Sequence, residues 1–295
     1  MIYKIENDYL LAEFNTLGAE CTRIYDKENE IEYLWHADAK YWGRHAPVLF
    51  PIVGKLKDNA YFYEENKYQL SQHGFARDKE FTLFRQEQKM ISFYLESDEE
   101  TLAKYPFKFR LKITYTLSNR SLDVSYQIDN LSDDSVLYAS VGGHPAFNIP
   151  FLPNTNFEDY RLTIKNPAQE LELFPLEGPH VNQEKACLVK KPFNEQLTHD
   201  LFKNDALIYA TDGPTEIELY HKDYPQKKIV LAYNHFDFIG IWSPYPKEAP
   251  FVCLEPWLGI ADVVKTNQKL EEKFKIKKIA ANDFYRAHYS LKFMA

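Results

Sequence analysis

Four segments of the sequence contain the residues that could do chemistry, because each combines ionisable, aromatic and turn-forming side chains. In chain order they are RHAPVLFPIVGK at 44–55, QHGFAR at 72–77, VGGHPAFN at 141–148 and FVCLEPW at 251–257. A carboxyl group and a histidine with well-separated pKa values can together remove and return a proton without a cofactor. The segments therefore indicate general acid–base chemistry.

Glu255 is the carboxyl candidate, since it lies within an apolar run. A buried carboxylate is costly unless it is paired, hydrogen-bonded or protonated, and burial would raise its pKa towards the range of a general base. The alternative is a glutamate on an edge strand that faces water. The neighbouring Pro256 and Trp257 favour a pocket.

His144 and His73 are the histidine candidates, and each lies beside glycine. Two glycines precede His144 and a proline follows it, so the backbone holds this imidazole in one place. An imidazole can give or take a proton near neutral pH, although a structural hydrogen bond would explain either histidine equally well.

Several other kinds of site lack support in the sequence. His73, His144 and Glu255 would suit zinc by composition, but they are far apart and show no i, i+4 spacing, so we expect no metal. The sequence has no G-x-S-x-G nucleophile turn and no G-x-G-x-x-G or phosphate-loop pattern. No cofactor is expected.

Composition and charge limit the partners and the compartment. The 295 residues carry a net charge of −8, which argues against nucleic acid. No apolar run is long enough for a membrane span, and Glu6 and Asp8 stand where a signal peptide would be apolar. The three cysteines are widely spaced, as reduced thiols would be. These features predict an unprocessed cytoplasmic protein that binds neither membrane nor nucleic acid.

The elements that must position these segments are predominantly β-strands. Apolar and polar residues alternate over 107–117, turn at 118–121 and alternate again over 122–128, which predicts an antiparallel hairpin. Further strands are predicted at 80–84, 90–95, 216–220, 228–233 and 236–242, and short helices only at 98–104 and 196–204. We therefore predict an all-β fold, a single domain over 1–295 built as a large antiparallel β-sandwich. The stretches 145–153 and 175–192 are expected to be long surface connections.

The four segments, in this order, resemble the aldose 1-epimerase (mutarotase) family over nearly the whole chain. The similarity lies in Pro47 to Lys55, His73 to Arg77, Gly143 to Phe147 and Leu254 to Pro256. Two branches are most similar: mutarotase-related proteins found with lactose and galactose genes, and hexose-6-phosphate 1-epimerases. The resemblance implies a galactose mutarotase-like supersandwich and an isomerase of carbohydrate metabolism that interconverts the α and β anomers of a hexose or hexose 6-phosphate.

The resemblance also implies roles for individual residues. Glu255 would take the proton of the C1 hydroxyl, His144 would protonate the ring oxygen, and His73 would hydrogen-bond the ring oxygen or a neighbouring hydroxyl. Asp205 would accept a hydrogen bond from a sugar hydroxyl, although a loop-capping aspartate explains it as well. The aromatic residues expected to stack on the sugar are Phe75, Phe147, Trp242 and Trp257.

The basic residues depart from the galactose-type pattern. Lys55 stands where that pattern has arginine, and it lacks the bidentate fork. Arg44 and Arg77 are instead similar to the phosphosugar branch. The 44–79 stretch has six basic and four acidic residues, a local charge of +2 that could hold a phosphate, hold hydroxyls or face water.

The expected partner is a small sugar or sugar phosphate, and the chain is expected to be a monomer or homodimer. A non-catalytic carbohydrate-binding or sugar-sensing protein on the same fold is the principal alternative. A structural β-domain whose aromatic residues only fill the core is a third.

Overall fold

A computed structural model of the protein describes residues 1–168, 170–190 and 193–294. The strands in these ranges are β1 Ile2–Glu6, β2 Leu10–Asn15, β3 Cys21–Asp26, β4 Ile31–Glu32, β5 Val48–Leu49, β6 Ala60–Tyr63, β7 Asn66–Gln69, β8 Thr82–Gln86, β9 Met90–Glu96, β10 Phe109–Ser118, β11 Ser121–Asn130, β12 Leu137–Ala139, β13 Val141–Gly143, β14 Ala146–Asn148, β15 Tyr160–Lys165, β16 Glu170–Leu173, β17 Leu176–Glu177, β18 His180–Val181, β19 Cys187–Lys190, β20 Phe193–Gln196, β21 Leu207–Ala210, β22 Thr215–His221, β23 Tyr224–Tyr233, β24 Phe238–Trp242, β25 Phe251–Leu258, β26 Lys277–Ile279 and β27 Phe284–Met294.

Helices are short in the described part of the chain. The α-helix α1 spans Glu99–Lys104. The 3₁₀ turns are Lys57–Asn59, Ala76–Asp78, Phe157–Asp159, Gln183–Lys185, His199–Phe202 and Leu270–Glu272. The helix predicted at 98–104 is confirmed, and the one at 196–204 is reduced to a 3₁₀ turn. None of the helices in the described ranges has the length and apolar character that crossing a membrane requires.

Two large antiparallel sheets form the body of the protein. Within the described ranges the first has the strand order β20-β15-β22-β23-β27-β11-β10-β9-β8, and the second β19-β16-β21-β24-β25-β13-β5 with β14 also paired to β25. One hydrophobic cluster joins side chains of both, such as Leu231 of the first sheet and Leu254 of the second. The predicted large antiparallel sandwich is therefore confirmed.

The predicted hairpin illustrates how the sequence forms these sheets. β10 and β11 pair from Phe109 opposite Asn130 to Ser118 opposite Ser121. In β10 the odd-numbered residues are buried and the even-numbered residues lie at or near the surface. Alternation with period two therefore places one face of this pair on the core.

The segment 145–153 is not the surface connection that we expected. It contains β14, which pairs with β25, and Pro145 to Phe147 are fully buried or nearly so. Its apolar residues fill the interior beside a central strand, and so its prolines do not mark an exposed loop. The other segment, 175–192, includes the short strands β17 to β19, and its last two residues lie outside the described ranges.

Candidate active site

A cleft of about 350 Å³ opens over the second sheet, and most of the candidate residues line it. The three proposed catalytic residues, Glu255, His144 and His73, all contribute to its wall. Of the candidate substrate-binding residues, those at the cleft are Lys55, Arg77, Asp205, Trp242 and Trp257. The fold thus brings together four segments that are separated by up to two hundred residues.

Glu255 reaches the cleft from β25, a strand in the interior of the sheet. All eight residues of β25 are buried, and Glu255 itself is 2% exposed. It pairs with Gly240 of β24. Glu255 is therefore a buried carboxyl group and not an edge-strand residue that faces water.

Trp257, two residues further along β25, forms part of the same wall. A Cβ atom added to Gly240 would come within 2.6 Å of its indole ring, and one added to Gly142 within 2.8 Å. These two glycines lie on the strands on either side of β25. Their missing side chains leave the space that the indole occupies.

His144 follows β13 and meets Glu255 at the base of the cleft. Its Nε2 atom lies 3.1 Å from Oε2 of Glu255, and only 7% of the residue is exposed. Gly143 brings the backbone into close packing, because a Cβ there would approach the hydroxyl of Tyr289 to 2.8 Å. The imidazole is therefore held against the carboxyl group by a tightly packed backbone.

Burial moves the pKa values of this pair in opposite directions. It raises the pKa of Glu255 well above its usual range, an effect that the charge of Asp205 reinforces and the Trp257 N–H partly offsets. It lowers the pKa of His144 to about 3, and Arg77 and Arg44 lower it further. The neutral pair, with one proton on Glu255, is thus the resting form, and Nε2 of His144 and Oε2 of Glu255 lie close together without being aligned as a hydrogen bond.

His73 presents a defined nitrogen to the cleft. The backbone N–H of Gly54 donates to its Nδ1 at 3.1 Å, while the N–H of His73 donates to the Gly54 carbonyl at 2.8 Å. Burial and the nearby His144 hold the pKa of His73 well below its usual value, so the ring is neutral. Because Nδ1 accepts a hydrogen bond, the proton lies on Nε2, which is available as a donor.

Two basic side chains line the cleft. Arg77 donates from Nη2 to the carbonyl of Gln72 at 2.7 Å, and its buried Nε has no hydrogen-bond partner among the described residues. Lys55 lines the cleft and forms no ion pair with any of the described residues. Arg44 lies outside the cleft wall, where it forms an ion pair with Asp78 at 2.8 Å.

The remaining candidates divide between the cleft and the core. Asp205 is exposed at the cleft wall, with a left-handed φ of 75°, and its Oδ1 also accepts the N–H of Ala206. Phe147 is completely buried and Phe75 is 7% exposed, and both belong to the hydrophobic core and not to the cleft wall. We therefore no longer assign Phe147 or Phe75 a stacking role.

Two further polar or aromatic residues of the cleft were not predicted as site residues. Gln72 lies beside His73, with Nε2 3.4 Å from the His73 Nε2. Trp42 stacks on His144, with ring centroids 4.7 Å apart and planes at 25°. Gln72 could have been proposed from its place in the QHGFAR segment. Trp42 lies in a loop ahead of the first segment, and it belongs to none of the four segments that predicted site residues.

Three buried donor groups lie close enough to hold a metal ion. The ligand atoms of His144, Cys253 and Glu255 are all within 4.8 Å of one another. Metal binding would require loss of the Cys253 proton, and burial raises the pKa of that thiol well above its usual value. The expectation of an acid–base site without metal stays a prediction.

Comparison with known proteins identifies the family. Residues 1–277 match the family Aldose 1-epimerase. The chain belongs to the aldose 1-epimerase family. A galactose mutarotase related enzyme from Lactobacillus acidophilus has 35% sequence identity and a TM-score of 0.95, covering 100% of this chain and 98% of its own. A galactose mutarotase-like protein from Lactobacillus casei ATCC 334 has 29% identity and a TM-score of 0.88, with 99% of each chain covered.

A curated relative extends the comparison along the full sequence. Protein LacX (plasmid) from Lactococcus lactis subsp. lactis is 30% identical over 298 residues, with 99% of each chain covered. The aldose 1-epimerase family and its fold, inferred above from four short segments, are therefore confirmed. As a member of this family the protein is an isomerase of the mutarotase type.

Proposed function

We propose that the protein interconverts the α and β anomers of a hexose 6-phosphate by acid–base opening of the sugar ring, with Glu255 as base and His144 as acid. The observation that carries this proposal is the buried pair of these two side chains, 3.1 Å apart at the base of the cleft. Ring opening requires one group that removes a proton from the C1 hydroxyl and another that protonates the ring oxygen.

The reaction conserves protons within the site. Transfer of the Glu255 proton to His144 gives a carboxylate and an imidazolium. The carboxylate takes the proton of the C1 hydroxyl as C1–O1 becomes a carbonyl, the bond from C1 to the ring oxygen breaks, and the imidazolium protonates that oxygen. Rotation about the C1–C2 bond and the reverse steps close the ring as the other anomer. The Nε2–H of His73 can hydrogen-bond the ring oxygen throughout.

A phosphate group is the substituent that best fits the basic residues of the cleft. Arg77 and Lys55 both line the cleft. Among the described residues Lys55 has no carboxylate partner, and the buried Nε of Arg77 makes no hydrogen bond, although it lies 3.9 Å from Oδ2 of Asp78. Arg44 also pairs with Asp78, at 2.8 Å, so this one carboxylate offsets only one of the two guanidinium charges. Charge-assisted hydrogen bonds from these side chains would hold a dianion. A free hexose is the second candidate, since the same donors also bind hydroxyls.

Saturation-transfer NMR of anomer exchange tests the catalytic assignment. Glucose, galactose and their 6-phosphates are compared with and without protein. Glu255→Gln and His144→Asn should each lower the catalysed exchange rate by roughly 10²- to 10⁴-fold. An unchanged rate in both variants would refute the acid–base assignment, and sugar binding without exchange by the natural protein would favour the non-catalytic sugar-binding alternative.

Lys55→Met tests the phosphate assignment. Loss of one charged hydrogen bond should raise KM for a hexose 6-phosphate by roughly ten- to 100-fold and change KM for the free hexose much less. Lys57→Met is the matched control. It removes the same charge only two residues along the chain, from a side chain that does not line the cleft. Equal effects of Lys55→Met on both sugars would favour the free hexose.

A further inference from the structure

Trp42 places the face of its indole ring against the imidazole of His144. The ring centroids are 4.7 Å apart and the planes are inclined by 25°, which is a stacked arrangement. Trp242 is T-shaped to both rings, with its ring centroid 5.8 Å from each. His144 thus contacts two indole rings in addition to Glu255.

The loop that carries Trp42 holds the indole in this position. The backbone N–H of Trp42 donates to the carbonyl of Asp38 at 3.0 Å, and its own carbonyl accepts the indole N–H of Trp35 at 2.9 Å. The indole also packs on Phe251, with centroids 5.9 Å apart. The stacking partner of His144 is therefore fixed before any ligand enters the cleft.

The face of an indole ring favours a cation within about 6 Å, and more so in a desolvated site. His144 becomes a cation when it accepts the proton of Glu255, and its burial removes the water that would otherwise solvate that charge. The titratable and charged groups that face or influence His144 are His73, Cys253, Glu255, Arg77 and Arg44. The arginines oppose the imidazolium, ionised Glu255 favours it, and His73 and Cys253 are neutral.

We propose that Trp42 is a positioning residue that fixes the plane of the His144 imidazole and stabilises its protonated form. This proposal rests on the proposed function, since it concerns the acid of the ring-opening step. In the resting site the one proton of the pair lies on Glu255. Stacking on the indole raises the fraction of the pair in which the proton lies on His144, and that fraction is the reactive form.

Trp42→Leu and Trp42→Phe test the proposal. Leucine removes the aromatic face, whereas phenylalanine keeps a smaller one together with the packing on Phe251. ¹⁵N NMR of the His144 ring in the ligand-free protein, followed into the acid range near its lowered pKa of about 3, gives the imidazolium fraction at each pH. We expect this fraction to fall by roughly two- to 30-fold in Trp42→Leu, the range of a cation–π interaction, and by less in Trp42→Phe. Phe84→Leu, which removes an exposed aromatic ring away from the cleft, should change nothing.

Anomer-exchange kinetics give the second measurement. In Trp42→Leu we expect kcat to fall by a similar factor while KM changes less, and Trp42→Phe should restore part of the loss. A higher KM with unchanged kcat and an unchanged His144 titration would overturn the proposal and make Trp42 a platform for the sugar ring. If the natural protein exchanges no sugar, the proposed function fails, whereas the ¹⁵N titration still decides whether Trp42 stabilises the imidazolium.

Discussion

Glu255→Gln is expected to change how the stability of the protein depends on pH. In the folded protein burial holds the pKa of Glu255 well above the ordinary value of 4.5. In the unfolded chain the carboxyl group returns to that ordinary value. Between these two pKa values the folded protein binds one more proton than the unfolded chain, so the free energy of unfolding falls as the pH rises. Glutamine has nearly the same shape and does not titrate, and the variant therefore lacks this loss.

The size of the effect follows from proton linkage. A difference of one bound proton changes the free energy of unfolding by about 1.4 kcal/mol per pH unit. Below the ordinary carboxyl pKa both states of the natural protein are protonated at this position, and the two proteins should have similar stabilities. As the pH rises through the window, the variant should become progressively more stable than the natural protein, until the folded-state pKa is reached.

Guanidinium denaturation at a series of pH values measures this difference directly. All other titrating groups are common to the two proteins, so subtracting one curve from the other isolates position 255. Saturation-transfer NMR on the same samples shows whether the more stable variant has lost exchange activity. If the two stability curves run parallel from acid to neutral pH, Glu255 is ionised in the folded protein and the proposed resting form of the pair is incorrect.

Two further predictions concern the support of the cleft. Lys273→Met should lower the free energy of unfolding by about 3–5 kcal/mol, because it leaves the carboxylate of Asp262 buried without the ammonium group that lies 2.9 Å from it. Lys269→Met is the control, since Lys269 belongs to an exposed ion pair. In the same denaturation assay this control should have little effect. Gly54→Ala should cost more stability than Gly213→Ala, although both positions have a φ above 70°. A Cβ at Gly54 would lie 2.5 Å from the Cβ of Ala261, whereas one at Gly213 would meet no atom of the described residues within 4 Å. Thermal unfolding compares the two glycine variants. Equal losses of stability would mean that the left-handed backbone conformation alone accounts for the effect, about 1–2 kcal/mol.

The sheets could be predicted from the sequence because their signal is local. Alternation with period two over 107–128 depends only on neighbouring residues, and the structure places β10 and β11 there with that register. The same local information identified the segments around His73, His144 and Glu255, since glycine and proline beside an ionisable residue indicate a fixed backbone. The cleft that these segments form depends on the order of strands in the sheet, which no local pattern encodes.

The sequence predictions that failed, and the cleft residue that the sequence did not indicate, have a common physical cause. Phe147 shares a segment with His144, but strand geometry turns its side chain to the opposite side, into the core. Prolines near 145–153 suggested an exposed loop, whereas pairing of β14 with β25 buries the segment. Trp42 is a cleft residue only because its loop folds back over β25. Contacts between distant segments decided each of these positions.

The position of Glu255 in a wholly buried strand has a consequence for how the cleft could diversify. A substitution in β25 disturbs both neighbouring strands and the core beneath them, so the base of the cleft, with Glu255 and His144, tolerates little variation. Lys55 and Asp205, by contrast, project from connecting segments at the rim. We expect relatives with the same residues at the base of the cleft to differ in these rim segments, and therefore in the sugar that they prefer. The reaction type is then inherited with the sheet and the substrate preference with the loops.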